Sequence, residues 1–315
     1  MKIPIIIAHF YTAPRYLKHA LSSAAKFNDE VILIGDASNQ RVWRNHHNEM
    51  LIQSGKYKDF IKHYFKMSDY EEAYETSFWK RMFLLEEWMK SNRVDKAILL
   101  DSDIVTFMNY STDLYPRLPK NCISALIIPK KQDNFAWVGS THFSYWTLEG
   151  IQDFTNFTID TYSDRNNHLD HLRKKYQWHL ENKARGGVTE MTLLYLWSLQ
   201  NENVFNATQV FGDITVDLHI NTSENYYENE YVMKHTVKYF IFKDGVPFGY
   251  NKLLKREIQF ACIHCQAGAK PAMMFLTNQM LQKFYFLGKR YGDLRSILAA
   301  QKNKTRNWLK SIARC

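Results

Sequence analysis

Apolar residues recur along this chain in two alternating rhythms. Short unbroken runs, Ile3–Phe10 and Val31–Ile34, read as strands buried on both faces. Between them Arg15–Lys26 carries apolar residues at helical spacing. A strand, a helix of about a dozen residues and a second strand form the repeating unit of a parallel sheet flanked by helices. The rhythm continues with a long aromatic-rich helix over Tyr70–Lys90, a strand over Lys96–Leu100, and further strands over Cys122–Ile128 and Phe143–Trp146. A polar helical insert spans Glu149–Lys183. Arg185–Thr192 then opens an apolar helix over Leu193–Leu199, with Thr189 as its cap and Glu190 in the positive first turn. From Val204 to Phe248 the pattern is one of short strands and turns, including Tyr239–Phe242 before Lys243-Asp244-Gly245. A last strand, Gln259–His264, runs into a loop of small residues. Neither repeats nor a linker interrupt the chain before about residue 275, so one mixed α/β domain is expected.

Composition supports a large folded body. The chain has 315 residues, 45% hydrophobic and 15% aromatic, which excludes disorder. No apolar stretch approaches the roughly 18 residues that cross a bilayer, and the amino-terminal run is too short for a signal peptide. Four cysteines give no disulfide framework in a chain this long, which points to the cytoplasm. The net charge of +9 is unevenly placed: after residue 282 nine lysines and arginines face a single acid, Asp293, leaving the body nearly neutral. No nucleic-acid signature accompanies it. Residues 1–278 therefore read as the catalytic body and 279–315 as a basic amphipathic helical extension. Lys and Arg on one side with Trp, Phe and Leu on the other suit a helix lying on an anionic membrane, at its inner face. That contact is expected of Lys302–Arg314, and packing on the body of the part before Ala300.

The candidate chemistry starts at Asp101-Ser102-Asp103, inside the apolar run Ala97–Val105. In extended backbone Asp101 and Asp103 share one side while Ser102 turns away. Two adjacent carboxylates repel and lose hydration, penalties that a divalent cation removes. Mg²⁺ or Mn²⁺ held by carboxylates serves phosphate chemistry. The alternative is an Asp-Ser-Asp turn that closes the strand. Ligands of open α/β sheets bind beyond the carboxyl ends of the strands. There the sequence places His9-Phe10-Tyr11, Asp36, the aspartate pair and His264. After His264 come Gly268 and Lys270, suited to a third metal ligand followed by a loop around a diphosphate. Cys262 and Cys265 beside His264 also admit zinc, although a fourth ligand is lacking nearby.

Taken in order, these motifs resemble metal-dependent glycosyltransferases of the GT-A fold, of the bacterial polysaccharide and lipopolysaccharide type. Members carry an aspartate-x-aspartate and a late His-x-x-Gly-x-x-Lys-Pro. Here the second motif is His264-Cys265-Gln266-Ala267-Gly268-Ala269-Lys270-Pro271, with one extra residue before the glycine. The resemblance extends to Phe78-Trp79-Lys80-Arg81, to Gly139–Trp146, and to Gly186–Thr192, where Glu190 replaces the usual Asp.

The resemblance implies a Rossmann-like nucleotide-sugar domain with a central mixed sheet, a UDP-sugar donor, Mn²⁺ or Mg²⁺, and a glycan or lipid-linked acceptor. It assigns the metal to Asp101, Asp103 and His264. Ala8, His9, Phe10, Tyr11 and Asp36 would hold base and ribose, and Ser102 the ribose or donor sugar. Arg81, Gly268 and Lys270 would face the diphosphate. His142, Ser144 and Glu190 would contact substrate. Asp103 and Glu190 form the catalytic pair, Glu190 being the general base of an inverting enzyme or a hydroxyl ligand in a retaining one. Arg81 is alternatively a surface residue paired with Glu75 or Glu86. Two rival functions follow from the same residues. A sugar-1-phosphate nucleotidyltransferase needs a glycine-rich loop after the first strand, and His9–Pro14 has no glycine. A non-catalytic glycan-binding protein would not need the carboxylate pair.

Overall fold

A computed structural model of the chain describes residues 2–52 and 54–312, with side chains of the last helix described as far as Gln301. Among the described residues the strands are β1 (Ile5–Ala8), β2 (Val31–Gly35), β3 (His46–Asn48), β4 (Lys96–Leu100), β5 (Ile104–Thr106), β6 (Ser124–Ile127), β7 (Ser140–Thr147), β8 (Val204–Asn206), β9 (Ile214–Thr215), β10 (Met233–Lys234), β11 (Val237–Lys238), β12 (Phe240–Lys243), β13 (Val246–Asn251), β14 (Arg256–Phe260) and β15 (Cys262–His264). The helices are α1 (Arg15–Phe27), α2 (Gly55–His63), α3 (Glu72–Ser91), α4 (Leu148–Tyr162), α5 (Leu169–Glu181), α6 (Glu190–Ser198), α7 (Met273–Leu276) and α8 (Tyr285–Ile312).

The expected class, mixed α/β around a central mixed sheet, is the class observed. The large sheet runs β3-β2-β1-β4-β7-β6-β8. Its β3-β2-β1-β4 half is parallel, β7 is antiparallel to both β4 and β6, and β8 is parallel to β6. Burial on both faces explains the unbroken apolar runs of β1 and β2. Ile5, Ile7, Leu33 and Leu100 face one cluster with Leu17 and Leu21 of α1. Ile6, Ile32 and Leu99 face the other, with Trp79 and Phe83 of α3 and Phe154 of α4.

Three expectations change. The strand read as Gln259–His264 is divided at Ala261, whose N–H donates to Thr215 while its carbonyl accepts from Phe107. Before it, β14 belongs to the sheet β12-β13-β14-β9; after it, β15 pairs with β5, His264 opposite Ile104. Second, between β2 and α3, where no element is expected, the structure adds β3 and α2, both too short and polar to leave a periodic signal. Third, the polar insert breaks into α4 and α5 around Ser163–His168.

The first half of α8 packs on the body. A Cβ on Gly292 would stand 1.9 Å from the Gly268 carbonyl oxygen, and one on Gly288 2.5 Å from the Ala272 Cα. Two glycines one turn apart thus let the helix lie directly on the 3-10 segment Ala267–Ala272. Tyr285, 2% exposed, donates its hydroxyl to the Lys238 carbonyl. The expected membrane contact of Lys302–Arg314 falls outside the described side chains. None of the described helices is long and apolar enough to cross a membrane.

Candidate active site

Asp101 to Asp103 is a turn, not extended strand: the Ile104 N–H donates back to the Asp101 carbonyl at 3.3 Å. The alternation argument for two carboxylates on one strand face therefore fails. They meet for a different reason, because the turn joins β4 to β5 and β5 carries β15 alongside it. The Cys265 N–H donates to the Asp103 carbonyl at 2.9 Å, which fixes His264 over the turn. One ligand-capable atom from each of Asp101, Asp103 and His264 lies within 4.8 Å of the others. This grouping includes neither Cys262 nor Cys265, which are buried free thiols.

His264 is aimed by its other nitrogen. Nδ1 lies 2.9 Å from the Leu218 carbonyl, which can only accept, so that nitrogen carries a proton and Nε2 is the one turned to the aspartate pair. Nε2 is 3.4 Å from Asp103 Oδ1, and Lys270 Nζ is 3.3 Å from Oδ2. Burial opposes the Asp103 charge, but His264 and Lys270 outweigh it and hold the carboxyl well below its ordinary range. Burial likewise opposes a charge on His264, and Asp103 turns the balance upward. Two carboxylate oxygens and one imidazole nitrogen suit Mn²⁺ well, and Mg²⁺ when waters complete the shell.

Beneath the ligands lies a buried support with no local sequence signal. Asp217 Oδ2 accepts the His264 N–H at 3.1 Å, and the Asp217 carbonyl is 2.9 Å from His142 Nε2. Asp217 is ion-paired to Lys238, both fully buried, and Lys238 also donates to Asn225 Oδ1 at 3.2 Å and the His219 carbonyl at 3.1 Å.

Arg81 is buried and bound to this group instead of facing outward. One guanidinium nitrogen pairs with Asp101; the other donates to Thr141 Oγ1 at 2.7 Å and Glu190 Oε1 at 3.1 Å. The alternative pair with Glu75 or Glu86 does not form. Glu190 opens α6 as expected, with Thr189 and Thr192 making a reciprocal cap. It is 3% exposed, its Oε2 has no hydrogen-bond partner among the described residues, and burial pushes its carboxyl up to about 7 against the pull of Arg81.

The first-strand residues do converge. His9 Nδ1 is 2.9 Å from Ser102 Oγ and Nε2 is 3.0 Å from Thr12 Oγ1. Tyr11, at φ 70° and 56% exposed, donates its N–H to Asp36, which also accepts from Ser38. Asn39 ties the loop by donating to the His9 carbonyl at 2.8 Å. Ala8 and Phe10 line the same bend, and Lys80 sits 5.4 Å over the Phe10 ring.

Two expected contacts are corrected, and Gly268 has a packing role as well. Ser144 is fully buried on β7 and accepts from Trp146 Nε1 at 2.8 Å, so it meets no substrate. His142 is 2% exposed with both ring nitrogens engaged, stacked behind His264. Gly268 makes room for α8: a Cβ there would meet Asp293 Oδ1 at 2.8 Å.

No family model and no curated protein matches the chain. Solved structures with partial likeness include mouse xyloside xylosyltransferase 1 in its apo form, at 11% identity and TM-score 0.47, covering 65% of this chain and 84% of that one. The galactosyltransferase LgtC in complex with donor and acceptor sugar analogs aligns at 13% identity and TM-score 0.36, over 65% and 73% of the two chains. The glycosyltransferase GlyE of Streptococcus pneumoniae aligns at 16% identity and TM-score 0.34, over 65% and 45%. All three overlaps are partial.

Proposed function

We propose that this chain is a GT-A-type glycosyltransferase that moves a sugar from a nucleotide donor, a UDP-sugar, onto a glycan or lipid-linked acceptor in surface polysaccharide synthesis. The observation that carries it is the convergence of Asp101, Asp103 and His264 within 4.8 Å beyond the carboxyl end of β4, with His264 Nε2 turned to the pair because Nδ1 is held by the Leu218 carbonyl. These three would hold Mn²⁺ or Mg²⁺, which when bound supplies a Lewis acid for the departing diphosphate.

The chain's own groups do the rest. Lys270, packed 4.6 Å over the Tyr16 ring and 3.3 Å from Asp103, keeps fixed positive charge where a diphosphate gains negative charge. Arg81 holds Asp101 in place, and Glu190 holds Arg81, so both act as positioning residues. The bend at Ala8–Tyr11 with Asp36 receives base and ribose, and Ser102, steadied by His9, faces the sugar side. Peripheral contact with anionic lipid belongs to the basic residues 302–314.

A thermal-shift series tests this reading. UDP should raise the melting temperature only with Mn²⁺ present, and Asp103→Ala should abolish that shift. A shift unchanged in Asp103→Ala would overturn the metal site. Sugar binding without any nucleotide shift would instead indicate a glycan-binding protein.

A further inference from the structure

The Gly186-Gly187 turn that leads into α6 borders a cavity of about 220 Å³, which no expected site residue lines. Three aromatic side chains, Tyr70, Phe135 and Trp137, and three basic ones, Lys175, His179 and Arg185, face it, and no carboxylate is among its lining residues. Thr189 and Thr192, the capping pair around Glu190, form its inner edge. The volume is below the roughly 300 Å³ at which sites for drug-sized ligands begin, so it suits a single ring.

The wall is built to stay in place. The Gln132 side chain donates to the carbonyls of Pro129 and Val138 at 2.8 and 3.0 Å and accepts the Val138 N–H at 2.7 Å. Within that clamp Asn134, Phe135 and Trp137 hold φ of 51°, 56° and 40°, the left-handed region that ordinary residues occupy only when their surroundings impose it. The Phe135 and Trp137 rings meet edge to face at 4.9 Å. Lys175, 3% exposed, donates to the Ala136 carbonyl at 3.0 Å and Thr192 Oγ1 at 2.9 Å, so it ties the wall to α6 and the charge offered to a ligand is that of Arg185. Arg185 is exposed and has no hydrogen bond or ion pair among the described residues. Asp69, the nearest acid in the bonding pattern, is occupied by the Gly186 N–H at 2.9 Å.

An aromatic row connects this cavity to the metal ligands. Tyr70 lies 6.0 Å from Tyr74, Tyr74 lies 4.6 Å from Phe78, and the guanidinium of Arg81 sits 5.5 Å over Phe78. Tyr70 and Tyr74 are exposed. Their negative faces suit the polarised C–H face of a pyranose ring.

We propose that this cavity is the acceptor subsite and that it selects a sugar carrying an oxyanion, a carboxylate or a phosphate. The acceptor role rests on the transferase reading; the ligand class rests on the cavity itself.

Saturation-transfer NMR titrations of the full chain with methyl β-glucuronide, glucose 6-phosphate and methyl β-glucoside test it. At least one acidic sugar should bind about tenfold tighter than the neutral glucoside, the worth of one charge-assisted hydrogen bond. Arg185→Glu should erase that preference, and Trp137→Ala should weaken all three sugars. The thermal shift with UDP and Mn²⁺, read on the same samples, reports whether each variant is folded. Equal affinity for acidic and neutral sugars, or a preference that survives Arg185→Glu, overturns the proposal even where the nucleotide shift is present. Acidic preference that depends on Arg185 without any nucleotide shift would uphold the ligand class and sink the transferase reading.

Discussion

The imidazole of His142 lies flat against that of His264, ring centroids 4.1 Å apart and planes 21° from parallel. Both His142 nitrogens are engaged, and burial, reinforced by His264, holds its pKa well below the ordinary value, so the ring is neutral. It is a backing plate for the metal ligand in front of it. Loss of such an outer partner typically costs roughly 10–100-fold in metal affinity. His142→Ala should therefore weaken Mn²⁺ binding by at least about tenfold in calorimetric titration. His142→Phe, which keeps a flat ring but loses the Asp217 contact, should recover part of that. Three equal affinities would remove His142 from any role at the metal.

Deeper in the same stack, Asp217 and Lys238 separate into a stability effect and a site effect. Removing one member of a buried ion pair strands the other, at about 3–5 kcal/mol. Urea unfolding of Lys238→Met should show a loss of that size. The double variant Asp217→Leu/Lys238→Met should regain most of it. Because Asp217 also accepts the His264 N–H, the double variant should still bind Mn²⁺ more weakly than wild type. Full stability with full metal affinity would show that His264 does not depend on Asp217.

What the sequence revealed and what it hid divide along the range of the interactions. β1, β2, β4, α1 and α3 were legible because their periodicity lies within a dozen residues. The Asp101, Asp103 and His264 grouping is legible from their places at strand ends and from the resemblance, but the pair sits on a turn and not on extended strand. Arg81 finds Glu190 across the fold, and Asp217 finds His264 and Lys238 through a sheet crossing, so neither pairing leaves a local mark. Gly268 hides a second constraint for the same reason. A small residue near Lys270 suits a phosphate loop, and the atom that a Cβ at 268 would meet is Asp293 Oδ1 on the last helix, 2.8 Å away.

The close approach of that helix makes a direct prediction. A side chain at Gly292 has to displace the Gly268 carbonyl, 1.9 Å from its Cβ position. Overpacking of this kind costs about 1–3 kcal/mol. Gly292→Val should lose that much in urea unfolding and, by shifting Lys270, should also reduce UDP–Mn²⁺ binding. Gly55, the first residue of α2, has nothing within 4 Å of its Cβ position. Gly55→Ala should instead stabilise by about 0.4–1 kcal/mol, by narrowing the unfolded ensemble. Equal effects at the two glycines would contradict the close helix approach.

Lys175 supplies a pH dependence whose sign is fixed by its surroundings. Burial pushes its ammonium down to about 7, against an ordinary value of 10.5. Between those values the unfolded chain holds a proton that the folded chain has released. Unfolding free energy therefore rises with pH across the window. Below it both states are protonated and the folded state carries the full cost of a buried charge. The slope from this one group approaches about 1.4 kcal/mol per pH unit inside the window. Lys175→Met removes the proton difference, so the stability of wild type minus variant should climb with pH from about 7 towards 10 and stay level below 7. Urea unfolding of both proteins across that range measures it. A difference independent of pH would mean that folded Lys175 keeps its charge, and the hydrogen bonds to Ala136 and Thr192 would then have to sustain it alone.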